Sequence, residues 1–334
     1  CLQPLPLACF LACWPTFSPA CPPACLPACS LARLPACLPS RLPACLPSRP
    51  PACLPACLRA CRRACLPARR RACGRAGRPG AGCATSASVS DPVIDPAPLF
   101  QSLTMGRGRT APNRLAVAPM TNLQSDAAGL LTEVEIEWLA RRAEGGFGLI
   151  ETAAAYVNLD GKGWAGQVGI DRDACVPGLA RMANRLRVGG GLGVVQLFHG
   201  GVRAPSKVTG QQPWSASEFQ EAGKSFEVPR PASDDDLARV IDDFAAAAVR
   251  AERAGFEGVE IHGAHGYLPS QFLSAAMNQR TDGWGGDLSG RARLLRTITQ
   301  RVRAAVGGST LVGVRLSPED FGYARGLDLD DSLQ

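Results

Sequence analysis

The chain has 334 residues, 15 of them cysteine, and a formal net charge of +7. That charge belongs to residues 1–92, which carry 11 arginines and a single acid, Asp91, whereas the remainder carries 25 basic and 28 acidic side chains. A mildly acidic globular part excludes the basic surface that a nucleic-acid partner demands, and no run of eighteen apolar residues offers a membrane span.

Residues 1–92 hold 14 of the 15 cysteines and repeat a four-residue unit. It reads Cys53-Leu54-Pro55-Ala56, then Cys57-Leu58, with copies at Cys25-Leu26-Pro27-Ala28 and Cys45-Leu46-Pro47. The spacing is too monotonous for a disulfide framework, and proline interrupts any amphipathic targeting helix. A repeated TGCC tetranucleotide encodes Cys-Leu-Pro-Ala in every frame. The segment therefore reads as a low-complexity leader, disordered or an artefact of an over-extended gene model. Cys1 in place of an initiator, with Met105 as the first methionine, fits that reading. Beyond the leader only Cys175 remains, which suits a reducing, cytoplasmic compartment, with organellar targeting by the leader left open.

From residue 93 the pattern becomes regular. Arg114–Met120 is a short apolar run ending in Pro119-Met120, read as a buried strand. Thr132-x-x-Glu135 reads as a capping box opening a helix with Val134, Ile136, Leu139, Ala140 and Ala143 on its apolar face. Gly148–Ala155 is the second strand. A helix follows Pro177, with Leu179, Met182, Ala183 and Leu186 on one face, and Gly193–His199 is the third strand. A connection rich in Pro, Gly and Ser runs to Ala232. Ser233 then caps a helix marked by Leu237, Val240, Ile241, Phe244, Ala248 and Ala251. Gly258–His262 is the fourth strand. After a long loop, Leu294, Leu295, Ile298, Val302 and Val306 mark another helix, Leu311–Arg315 is the fifth strand, and Asp328–Gln334 starts one more helix.

Strand then helix, five times over, means parallel strands with helical crossovers. An open doubly wound sheet would show a Gly-rich phosphate turn after its first strand, and here that strand ends in Pro119-Met120-Thr121. Polar side chains sit instead at the C-terminal ends of several strands: Thr121, Gln196, His199, His262 and Arg315. This is the active face of an α/β TIM (β/α)8 barrel, C-terminally truncated to about five of its eight strands and spanning residues 93–334.

The most specific segment is Glu260-Ile-His-Gly-Ala-His-Gly-Tyr267, continuing to Asn278-Gln-Arg-Thr-Asp-Gly-Trp-Gly-Gly286 and Arg291-Ala-Arg293. With Ala118-Pro-Met-Thr121 and Gln196-Leu-Phe-His-Gly200 it resembles the old yellow enzyme family, the NADH:flavin oxidoreductases, over about residues 93–334. The resemblance implies FMN as cofactor, NAD(P)H as hydride donor, and a small electrophilic acceptor such as an activated alkene. It implies His262 and His265 as hydrogen-bond donors to the acceptor's carbonyl oxygen and Tyr267 as proton donor. Gly263 is expected to permit the turn that lets both histidines reach one atom. It assigns Thr121 to the flavin carbonyl near N5, Gln196 to the pyrimidine edge, and Arg315 to the N1–O2 region. Pro119, Met120 and Ala154 are the expected ring contacts, with the register of Ala154 ambiguous. The family's Gly-Arg phosphate segment lies in the strands not present, so an inactive truncated piece is one alternative. A homo-oligomeric full-length parent is left open. The other alternative is a metal-dependent hydrolase using His199, His262 and His265, although no His-x-His on the first strand or nearby general base completes such a site. No metal is expected, and His199 reads as structural, ordering its loop.

Overall fold

The computed structural model describes residues 95–220, 226–319 and 326–334, so the expectations for the leader lie outside the described residues. In chain order the repeating elements are β1 (Ala116–Val117), α1 (Glu133–Glu144), β2 (Leu149–Glu151), α2 (Val176–Val188), β3 (Leu192–Phe198), α3 (Asp234–Arg253), β4 (Gly258–Gly263), α4 (Leu268–Leu273), α5 (Leu288–Ala305), β5 (Leu311–Leu316) and α6 (Leu329–Leu333). The strands pair in the order β5-β4-β3-β2-β1, all parallel. This is five consecutive strands of a (β/α)8 barrel wall, with α1, α2, α3 and α5 packed outside it. No described helix is long and apolar enough to cross a membrane.

Alternation along each strand decides what faces where. On β3, Val195 and Leu197 are fully buried in the core shared with the helices, while Gln196 belongs to the opposite, inner face. On β4, Val259 and Ile261 join that core, and Glu260 and His262 face inward. The helices meet the sheet through the stripes the sequence shows: Leu179, Met182, Ala183 and Leu186 from α2, and Leu237, Val240, Ile241, Phe244 and Ala248 from α3.

The capping signals divide. At α3, Ser233 Oγ accepts from the Asp236 N–H and the Asp236 carboxylate accepts from the Ser233 N–H at 2.9 Å, a complete capping box. At α1, Thr132 occupies the N-cap but makes no side-chain cap; its hydroxyl donates to the Gln124 carbonyl instead. Glu135 is buried and accepts from Ser125 Oγ at 2.6 Å and Asn122 Nδ2 at 2.9 Å, so it is withdrawn from the box and fastens the loop after β1. Val134, expected on the apolar face, is 64% exposed.

Two expected spans shorten or divide. The first strand keeps only Ala116–Val117, because the chain leaves the ladder at Pro119, which has no N–H to donate. The second splits into Leu149–Glu151 and Ala155–Tyr156, the latter pairing further along β3 with Leu197 and Phe198. Two stretches read as loop contain structure. Trp214–Ser215 pairs with Arg230–Pro231, and Leu268–Leu273 forms α4, whose residues are all buried.

Candidate active site

The C-terminal ends of β1 to β5 converge on one cleft. It is lined by all nine residues singled out in the sequence: Pro119, Met120, Thr121, Ala154, Gln196, His262, His265, Tyr267 and Arg315. Trp164, from the loop after Ala155–Tyr156, is the one lining residue the sequence reading missed. It stands edge-on to Phe198, with ring centroids 5.4 Å apart. Nothing in the local pattern marks it, because it reaches the cleft through a loop rather than a strand end.

One side of the cleft is built by β4 and the turn after it. His262 is 3% exposed, and burial, then His265 and Arg315, push its imidazole down to about 3. It is therefore neutral across the physiological range. Its Nδ1 accepts from the Ala264 N–H at 3.3 Å, which assigns the proton to Nε2. That nitrogen lies 3.4 Å from Nδ1 of His265. The turn aligning the two rings differs from expectation. Gly263 is still strand, in register with Leu316, and the left-handed conformations fall at His265 (φ 60°) and Gly266 (φ 70°). A non-glycine residue held there is strained, and such strain collects at functional sites. The His265 N–H donates to Ser317 Oγ at 3.0 Å, tying the turn to the end of β5.

Tyr267 caps α4 and packs edge-on against Phe198 and His262, with centroids 4.4 and 4.9 Å away. Burial raises its phenol, and the nearby Arg203 guanidinium opposes the rise. Arg203 lies 5.6 Å above the ring centroid and donates to the His265 carbonyl.

The opposite side carries the inner-face polar groups. Gln196 is buried and its Nε2 donates to Glu260 Oε1 at 2.8 Å. Arg315 donates from Nε to Glu260 at 2.7 Å and from Nη2 to Glu151 at 2.9 Å. Neither glutamate was singled out in the sequence, yet a charged residue inside each of two apolar strands was a usable signal.

His199 stands apart. Fully buried, it faces Asp160 Oδ1 at 3.0 Å, and Asp160 also accepts from Trp214 Nε1 at 3.0 Å and pairs with Arg239 at 2.8 Å. Those partners hold the Asp160 carboxyl well below its usual range, although burial, the largest single influence, works the other way. The three histidines do not converge, and among the described residues no three His, Cys, Asp or Glu side chains form a metal-binding group.

The chemistry of the cleft is asymmetric. A carboxamide, a guanidinium and the Thr121 hydroxyl sit beside Pro119, Met120 and Ala154, a set suited to a flat heterocycle with alternating donors and acceptors along one edge. The isoalloxazine of FMN fits that description.

Comparison with known proteins agrees. Residues 98–332 match the NADH:flavin oxidoreductase / NADH oxidase family. The probable NADH-dependent flavin oxidoreductase YqiG of Bacillus subtilis is 40% identical over 228 residues, 67% of this chain and 60% of that protein. The flavin oxidoreductase hxnT of Emericella nidulans is 35% identical over 236 residues, also 60% of its length. The structure of the old yellow enzyme homologue from Zymomonas mobilis superposes with a TM-score of 0.65 at 35% identity, covering 70% of this chain and 67% of that one. Morphinone reductase gives 0.64 at 29% identity, covering 70% and 66%. The chain thus spans about 60% of the length of these two curated relatives.

Proposed function

Because the chain belongs to the NADH:flavin oxidoreductase / NADH oxidase family, we propose that its cleft is the flavin-ring and acceptor site of an FMN-dependent oxidoreductase that passes hydride from NAD(P)H to an activated alkene. The observation that carries this reading is the convergence of His262, His265 and Tyr267 with Thr121, Gln196 and Arg315 in one cleft.

When bound, FMN supplies the hydride relay, and the protein supplies position and electrostatics. Gln196 offers the ring edge an amide that both donates and accepts, and Arg315 offers a cation where negative charge gathers. Pro119, Met120 and Ala154 pack the ring, and Thr121 supplies a hydroxyl. On the acceptor side the His262 Nε2–H and the His265 imidazole donate to a carbonyl oxygen. That oxygen is more negative in the transition state than in the bound substrate, so the bonds lower the barrier more than they tighten substrate binding. A neutral His262 donates without giving up its proton. Tyr267 then protonates the α-carbon, a task suited to a phenol that stays protonated at neutral pH.

FMN added in excess to the full chain should give a weakly bound flavin spectrum, since the residues present supply the ring contacts and not the family's phosphate segment. Tyr267→Phe should leave flavin reduction by NAD(P)H near normal, slow alkene reduction, and spare quinone or nitro acceptors, as resolved by stopped flow. His262→Ala or His265→Ala should weaken phenol binding and alkene turnover by about 3 kcal/mol, the order found for one lost oxyanion donor. Equal slowing of both half-reactions by Tyr267→Phe would remove its assignment as proton donor. Absence of any flavin binding would favour the second reading, an inactive portion of such an enzyme, for which the exposed outer side of β5 speaks.

A further inference from the structure

Glu151 on β2, Glu260 on β4 and Arg315 on β5 meet on the inner face of the wall. The guanidinium bridges both carboxyl groups, at 2.9 Å to Glu151 and 2.7 Å to Glu260. Gln196 adds a second donor to Glu260 at 2.8 Å. The carboxyl side chains are only 10% and 15% exposed, and both accept from that one guanidinium. Two mostly buried carboxylates held against one cation repel each other, which favours keeping one of them protonated. A single guanidinium neutralises only one of them.

We propose that Glu151 keeps its proton up to near neutral pH, and that this proton sets the charge presented at the Gln196–Arg315 end of the cleft. With the proton in place, the trio of two carboxyls and one guanidinium is neutral. Without it, the trio carries one negative charge beside the ring edge that Arg315 is placed to serve. The pair is thus a positioning and charge-setting device acting through Arg315. Its effect on the ligand rests on the flavin reading above; the Glu151 proton itself does not.

The surroundings agree. Facing Glu151 are Glu260 from β4 and Arg315 from β5, and neither β1 nor β3 contains a titratable residue. Burial chiefly, then Glu260, push Glu151 up to about 7 against the pull of Arg315. His262, next on the inner face of β4, is neutral and adds no charge.

The test is carboxyl carbon NMR on the full chain labelled at glutamate. One signal should titrate near neutrality, vanish in Glu151→Gln, and move down by about one pH unit or more in Glu260→Gln, where the like charge is gone. A wild-type Glu151 that titrates in the ordinary carboxylate range overturns the retained proton, whatever the variants do. With FMN bound, the midpoint potential should change slope with pH where the pair titrates, and Glu151→Gln should remove that break. The phosphate of FMN titrates alike in both oxidation states and cancels. Identical profiles for wild type and Glu151→Gln would overturn the charge-setting role. A chain that binds no flavin but shows the shifted carboxyl would count against the proposed function alone.

Discussion

At the scale of single residues, the cleft pairs groups whose protonation is fixed by burial with one that sits near neutrality. Glu151 makes a stability prediction whose sign follows from linkage. Its folded value, about 7, exceeds the ordinary 4.5, so the folded chain holds a proton that the unfolded chain releases. The resulting stabilisation is fully present below about pH 4.5 and is lost as pH rises through about 7. Glu151→Gln cannot lose that proton, so it should gain stability over wild type near pH 8 and not near pH 4. At about 1.4 kcal/mol per pH unit the ceiling is roughly 3 kcal/mol. Urea midpoints at the two pH values check it, and an equal difference at both would refute the buried-proton account. The nine motif residues were legible because each sits at or just after a strand end, where a barrel gathers its chemistry. Glu151 and Glu260 carried a signal, a charge inside an apolar strand, whereas Trp164 and Arg203 did not, because each reaches the cleft from a loop that only the folded wall brings close.

At the scale of elements, the same four-residue pattern occurs at Thr132–Glu135 and Ser233–Asp236 and folds in two ways. Local sequence permits both boxes. Tertiary contacts allow only the second, since Ser125 and Asn122 take the Glu135 carboxylate first. Ser233→Ala should therefore cost about 1 kcal/mol, the usual loss of an N-cap. Glu135→Gln should act instead on the loop that leads from Thr121 to α1. Proteolytic nicking within residues 122–132 would reveal that loosening, and a protected loop with an α1 frayed at its N-terminus would restore the capping-box reading. Gly258 gives a third element-level case. A Cβ there would stand 2.6 Å from the Leu311 Cβ on β5, so Gly258→Val should cost about 1–3 kcal/mol in chemical denaturation by forcing β4 and β5 apart. The strands themselves were readable from apolar runs, but their lengths were not. Where β1 ends depends on Pro119, and the split of the second strand depends on which part of β3 it meets.

At the scale of the molecule, five strand–helix repeats gave the parallel wall directly, whereas the state of its edges is a property of the assembled sheet. β3 and β4 are paired on both sides. β5 is paired only to β4 among the described residues, and Val314 and Leu316 on it are 37% and 49% exposed. Hydrogen exchange can read this strand by strand. The Leu311 N–H donates to the Glu257 carbonyl on the β4 side, so in a parallel ladder the Gly313 and Arg315 amides turn the same way. The amides of Val312, Val314 and Leu316 then point to the other edge. The expected result is an alternation along β5, with residues 311, 313 and 315 protected and residues 312, 314 and 316 exchanging fast, against uniform protection of β3 and β4. Uniform protection along β5 would mean that its outer edge is covered. If that protection grows with protein concentration, the cover is another copy of the chain, the outcome expected of a long apolar edge; if it does not, the cover comes from within the chain.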